Sequence, residues 1–306
     1  MIISASRRTD IPNYYSEWFL NRIKEQYVLV RNPMNPRQIS NIDLSPELVD
    51  CIVFWTKNPR NMIDRLDELN EYKYYFQFTL NAYGQEIERG LPSKGQELID
   101  TFRRLSDRIG SDKVIWRYDP IFLSRKYTMG YHEEYFGKLA ERLRGYTKQC
   151  TFSYLDAYPK RASQFRKHDL NIPSGEERIK IAKWISNTGK TQGMKVVTCA
   201  EAIDLESFGI QHGSCIDKEL IERLVGGRIR VQKDRNQRGE CGCVESIDVG
   251  LYDTCLNLCQ YCYANHGDET VEKQVGKYDP DSPLLCSAVV EGDRVYTRKV
   301  KSLRMK

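Results

Sequence analysis

Cys51-Ile52-Val53-Phe54-Trp55-Thr56-Lys57-Asn58-Pro59 reads as a buried strand that ends in polar residues and turns into a helix. Its five leading residues form the longest apolar run of the chain and are rich in β-branched and aromatic types. A strand apolar on both faces belongs in a parallel sheet covered by helices, whereas a half-exposed strand would alternate. Asn58 then supplies a helix N-cap and Pro59 the first helical position.

The same unit recurs along the chain. Strands are expected at Ile2–Ser6, Asp50–Thr56, Tyr74–Thr79, Lys113–Tyr118, Cys150–Tyr154 and Lys195–Cys199, with a seventh at Val244–Val249. Helical periodicity fills the gaps. Leu98, Phe102, Leu105 and Ile109 line one face, and Tyr131, Tyr135, Leu139 and Leu143 trace another. A third is marked by Ile181, Trp184 and Ile185, and helices are also expected at Tyr14–Gln26 and Glu269–Val275. Ser93 with Gln96 and Ser174 with Glu177 have capping-box spacing. Asn32-Pro33 and Asn35-Pro36, inside Tyr27–Leu44, predict a small hairpin before the second main strand.

Six β/α units and a seventh strand predict an α/β fold of the β/α (TIM-like) barrel type, partial or closed. Residues 1–205 would form the barrel core, and 206–306 a loop-rich, Cys-rich portion that closes the barrel within one compact unit. Polar residues follow the strands in turn: Arg7, Arg8 and Asp10; Thr56, Lys57 and Asn58; Thr79 and Asn81; Arg117 and Asp119; Ser153 and Asp156; Thr198 and Glu201. In a barrel these converge on one mouth, where such enzymes keep their active sites. Arg7, Asp10, Arg117 and Glu201 are the catalytic candidates. The arginines suit an anionic substrate group through bidentate hydrogen bonds, unless they are spent on Asp10 and Asp119.

Of 306 residues 40% are hydrophobic and 29% charged, an ordinary composition for a globular chain with a sizeable core. No apolar run approaches the roughly 20 residues that span a bilayer, and the first ten residues offer no apolar leader. The expectation is a cytoplasmic protein with no membrane partner. A net charge of +5 is too small to argue for nucleic acid by itself. Basic residues do gather late, five between Arg228 and Arg238 and six between Arg294 and Lys306.

Ten cysteines against four histidines are the anomaly, and seven cysteines fall between Cys199 and Cys262. A thiol-rich, histidine-poor donor set points to soft metal or iron–sulfur chemistry. Cys255, Cys259 and Cys262 form a C-x3-C-x2-C loop after the last strand. Three thiolates on one short loop can hold three irons of a [4Fe–4S] cluster and leave the fourth open to a chelating amine and carboxylate. The alternative is a zinc knuckle completed by Cys286 or His266. Cys199, Cys215, Cys241 and Cys243 precede the loop with C-x15-C-x25-C-x-C spacing. Four thiolates suit either a second iron–sulfur cluster, the first choice, or a zinc ion, with His212 between them as a shaping neighbour. Gly242 would allow backbone to approach such a metal closely. Cys51, Cys150 and Cys286 read as packing, and His132, His168 and His266 as surface or capping residues.

The loop Thr254-Cys255-Leu256-Asn257-Leu258-Cys259-Gln260-Tyr261-Cys262-Tyr263-Ala264-Asn265 resembles the signature of the radical S-adenosylmethionine superfamily, including the aromatic residue directly before the third cysteine. The resemblance implies a [4Fe–4S] cluster on the three cysteines and S-adenosylmethionine as second cofactor, with Tyr261 and Asn265 at the cofactor. It also implies reductive cleavage, hydrogen abstraction by a 5′-deoxyadenosyl radical, and an electron donor such as flavodoxin or ferredoxin. The chain as a whole resembles an uncharacterised prokaryotic family with such cysteines near the C-terminus. The matching stretches are Met1–Pro12, Val28–Pro36, Asp50–Pro59, Arg117–Pro120, Thr198–Glu201, Gly213–Asp217 and Asp234–Asn265. Superfamily members usually carry the loop after the first barrel strand, so its position here implies a permuted order.

The sequence therefore predicts a radical S-adenosylmethionine enzyme of unidentified substrate. Its competitor is a metal-stapled, non-catalytic protein that docks basic clusters on nucleic acid. A barrel hydrolase with a structural metal is disfavoured by the scarcity of histidine.

Overall fold

A computed structural model describes residues 1–92 and 96–305. In chain order the elements are β1 (Ile2–Ala5), α1 (Ile11–Tyr14), α2 (Ser16–Lys24), β2 (Tyr27–Arg31), β3 (Gln38–Asp43), β4 (Cys51–Thr56) and α3 (Arg60–Ile63). Next come β5 (Tyr74–Thr79), α4 (Glu97–Ile109), β6 (Val114–Ile121), α5 (Met129–Arg142), β7 (Gln149–Tyr154), α6 (Ala162–Lys167) and α7 (Gly175–Thr191). The chain ends with β8 (Lys195–Cys199), β9 (Gln211–Gly213), α8 (Lys218–Val225), β10 (Ile247–Asp248), α9 (Asp268–Val275) and β11 (Arg294–Thr297).

Eight strands form one parallel sheet in the order β10-β1-β4-β5-β6-β7-β8-β9. The expected β/α alternation holds, but the closed barrel does not. Among the described residues β9 and β10 are the two edges of the sheet, and no ladder joins them. The chain between them is α8 and a polar, glycine-containing segment without the period-two pattern of a strand. Loops bridge the gap instead, with Val244 N–H donating to Ile216 O (3.2 Å) and Ile216 N–H to Cys243 Sγ (3.4 Å). The portion after residue 205 thus extends both edges without closing them.

Alternate strand residues face opposite sides. Ile52, Phe54, Phe76, Phe78, Trp116 and Phe152 enter the main core with α2, α4, α5 and α7, where Trp116 stacks on Phe136 at 4.8 Å. Cys51, Val53, Tyr75 and Ile115 face the other way, against Leu220 and Ile221 of α8 and the cysteines of the later loops. Arg117 shares the parity of Ile115, so its side chain belongs to this second face.

The hairpin of β2 and β3 is present and gains β11 as a third strand. The capping box at Ser174 and Glu177 is formed. The one expected at Ser93 lies outside the described residues. Pro59 occupies the N-cap of α3, one position before its expected place, and Asn58 does not cap. On α5 the buried stripe is His132, Phe136, Leu139, Ala140 and Leu143, with Tyr135 exposed. A strict four-residue spacing drifts by about 40° per step on a helix of 3.6 residues per turn, which carries Tyr135 off the core face. His132, expected at the surface, is fully buried between Tyr118 Oη (2.7 Å) and Phe122 O (2.8 Å). No helix among the described residues is long and apolar enough to cross a membrane.

Candidate functional site

The carboxyl ends of the strands and the loops after them enclose a cavity of about 280 Å³. Ligand sites of parallel α/β sheets lie on this edge. Arg7, Arg8 and Asp10 enter from β1, Trp55 to Lys57 from β4, Thr79 from β5, and Arg117 and Asp119 from β6. Ser153 lies near the end of β7, Asp156 follows it, and Cys199 ends β8. Most of the expected strand-end set is therefore brought together without a barrel, although Asn58, Asn81, Thr198 and Glu201 stand outside the lining.

Both cysteine groups reach this one cavity. Cys255 and Cys262 line it, and so do Cys199, Cys215, Cys241 and Cys243. All ten cysteines are free thiols. Cys259 instead packs among Tyr83, Ile87 and Phe122. Burial pushes the Cys255 thiol up to about 12 and raises Cys262 as well. Among the described residues no three His, Cys, Asp or Glu side chains surround a common point closely enough to hold a metal ion as they stand. Cys286 sits in the main core beside Tyr15, and His266 pairs with Asp253, so neither lines the cavity.

The C-x3-C-x2-C loop is held from four sides. Asp10 caps α1 through Asn13 N–H (3.1 Å) and also accepts from Lys57 N–H (2.8 Å) and Asn257 Nδ2 (2.9 Å). Burial raises its carboxyl above the ordinary value against these donors. Residues 84–91 run beside the loop, with Gln260 N–H donating to Ile87 O (2.9 Å) and Gly90 N–H to Asn257 O (3.0 Å). A Cβ at Gly90 would overlap the Leu256 carbonyl, so only glycine permits the approach. Arg161 donates to Gln260 O (2.9 Å) and Asn265 O (3.2 Å), and Tyr15 Oη to Thr254 O (2.5 Å). Asn265 Nδ2 donates to Cys255 O (2.7 Å), which places Asn265 under the loop and outside the cavity lining.

Tyr261 does line the cavity, against Tyr83 and Phe122, and its hydroxyl donates to Glu88. Arg117 is buried on the sheet face, paired with Asp119 and donating Nη1 to Cys215 Sγ at 2.7 Å. Arg7 lies over the Trp55 ring at 5.2 Å, and its buried Nη2 has no hydrogen-bond partner. Glu201 accepts from Tyr154 N–H (2.7 Å) and faces Arg178, and burial pushes its carboxyl up to about 7. His212 is exposed, faces Thr198 at 3.3 Å and stands outside the cavity lining. Glu88, Arg161, Asn257 and Gly90 escaped the sequence reading, because each acts by holding the loop and none belongs to a metal-ligand spacing.

Fold and site define an α/β protein with one open parallel sheet and a thiol-lined cavity at its carboxyl edge. The chain belongs to the family described as a domain of unknown function (DUF1848), whose model matches residues 2–264, all eight strands and both cysteine groups included. No curated protein matched the chain.

Proposed function

We propose that the protein is a radical S-adenosylmethionine enzyme in which Cys255, Cys259 and Cys262 hold a [4Fe–4S] cluster. The observation that carries this reading is that Cys255 and Cys262 open into the cavity where the strand-end arginines and aspartates gather. The donor set fits such a cluster in kind, since iron–sulfur clusters are ligated by cysteine thiolates and these are free thiols on one short loop. When bound, the cluster and S-adenosylmethionine together supply reductive cleavage and hydrogen abstraction.

The chain's own residues bind, orient and exclude water. Trp55, Leu155, Tyr158 and Tyr261 give the cavity apolar walls. Glu88 fixes the Tyr261 ring through its hydroxyl. Arg7 offers a buried guanidinium nitrogen for an anionic group of cofactor or substrate. Arg117 and Arg238 are already paired, with Asp119 and Asp156, and keep the charge of the cavity near balance. Electrons would come from a small carrier such as flavodoxin or ferredoxin.

The test is anaerobic purification with iron and sulfide analysis, followed by reduction in the presence of S-adenosylmethionine. About four irons per chain on this loop and release of 5′-deoxyadenosine are expected. Cys259→Ala should lose both while the sheet stays folded. Iron-free protein, or release retained in Cys259→Ala, overturns the reading. Stoichiometric zinc on this loop would favour the non-catalytic, metal-stapled alternative.

A further inference from the structure

We propose that Cys199, Cys215, Cys241 and Cys243 form a separate tetrathiolate site for a single Zn²⁺ ion, which staples the two edges of the sheet across the gap in its ladder. Four cysteines from three distant loops meet at one place. Cys199 Sγ is 3.1 Å from Cys215 Sγ, Ile216 N–H donates to Cys243 Sγ (3.4 Å), and Cys215, Cys241 and Cys243 are buried in one cluster against which Cys199 packs. Side-chain rotation from this arrangement would bring the four sulfurs into one shell.

Spacing selects the occupant. Thiolates around a tetrahedral ion at about 2.3 Å stand about 3.8 Å apart. Ligands of an iron–sulfur cluster are held wider, because the whole core lies between them. The 3.1 Å contact of Cys199 with Cys215 therefore suits one ion. Four thiolates on a divalent ion leave two excess negative charges in a buried place, which needs compensation. Arg117 donates to Cys215 at 2.7 Å while pairing with Asp119, and Arg7 lies within electrostatic reach of Cys243 and Cys215, so two guanidinium groups offset part of that charge.

The backbone is arranged for the same meeting. A Cβ at Gly242 would stand 2.5 Å from Ser214 Oγ and 3.4 Å from Gly213 O, so the Cys241–Cys243 turn packs closely on the loop that carries Cys215. The close approach is to this neighbouring loop. Closed four-thiolate sites are structural in character. This one would fasten the end of β8 and the loop after β9 to the segment leading into β10, where no strand pairing among the described residues does so.

Metal analysis separates this site from the proposed cluster. Wild-type protein should carry about one zinc per chain whether or not iron is present. The Cys255→Ala, Cys259→Ala, Cys262→Ala triple variant should keep zinc, and Cys241→Ser, Cys243→Ser should lose it. Loss of iron instead of zinc from the latter, or no loss of metal, overturns the proposal. If that variant fails to fold, cobalt exchanged into the Cys255→Ala, Cys259→Ala, Cys262→Ala triple variant decides the matter. Intense thiolate-to-cobalt charge transfer with the visible bands of tetrahedral cobalt supports the site, and a spectrum without them overturns it.

Discussion

Lys57 Nζ lies 2.8 Å from Glu88 Oε1, and both side chains are largely buried. Glu88 also takes the Tyr261 hydroxyl and Asn81 Nδ2, while Lys57 lies over the Tyr261 ring at 5.6 Å. Glu88 pairs through its backbone with Cys259. One ion pair thus connects the end of β4, the loop after β5 and the cysteine loop.

Removing one partner of that pair leaves a buried charge without compensation. Lys57→Met should cost about 3–5 kcal/mol of unfolding free energy, since the desolvated carboxylate loses its counter-ion. The double variant Lys57→Met, Glu88→Gln should recover part of this loss. Urea unfolding of the two single variants and the double closes the cycle, and additive losses would show that the pair is not coupled.

Gly90→Ala tests the approach of residues 84–91 to the cysteine loop. The new methyl group meets the rigid Leu256 carbonyl rather than a movable side chain, so the loop must shift. A loss of about 1–3 kcal/mol is expected, as for other overpacked sites. Iron retained after anaerobic reconstitution should fall below wild type, although the main core is untouched. Thermal unfolding and iron analysis on one preparation measure both.

Arg161→Met removes the donors to Gln260 O and Asn265 O from a position 9% exposed. Two buried carbonyls lose charged partners, and about 1–3 kcal/mol should go with each. The loss should be local. Hydrogen exchange should quicken over residues 255–265 and stay unchanged in β4 to β7, whereas exchange rising everywhere would mean that Arg161 supports the whole fold.

Strand positions were legible because burial on both faces leaves unbroken apolar runs such as Cys51–Trp55. The gathering of Arg7, Asp10, Arg117 and Asp119 was legible too, since parallel strands bring their carboxyl ends to one edge whether or not the sheet closes. Closure itself was not. It depends on whether the polar stretch between α8 and Val244 pairs as a strand, and that stretch carries no period-two signal. Nor could spacing show that the two cysteine groups share a cavity, because residues 199 and 262 meet only through the sheet order. Glu201 ends its strand like the others but turns toward Tyr154 and Arg178, a choice made by local backbone geometry.

His132 gives a pH dependence with a definite sign. Burial lowers its pKa from the ordinary 6.5 to about 4, so the folded protein holds it neutral. Its neighbours are Tyr118, which pairs with Nδ1, the Phe122 carbonyl at Nε2, and the rings of Tyr83 and Tyr131. None of these titrates in the acid range. The unfolded chain therefore binds a proton below pH 6.5 that the folded chain refuses. The stabilisation is complete above about pH 6.5 and is lost as pH falls toward about 4, with a ceiling of about 3 kcal/mol. His132→Gln keeps an amide that can meet both partners but cannot take up this proton. Its stability relative to wild type should rise steadily between pH 6.5 and 4 in urea unfolding. A difference independent of pH over that range would mean that His132 protonates freely in the folded state.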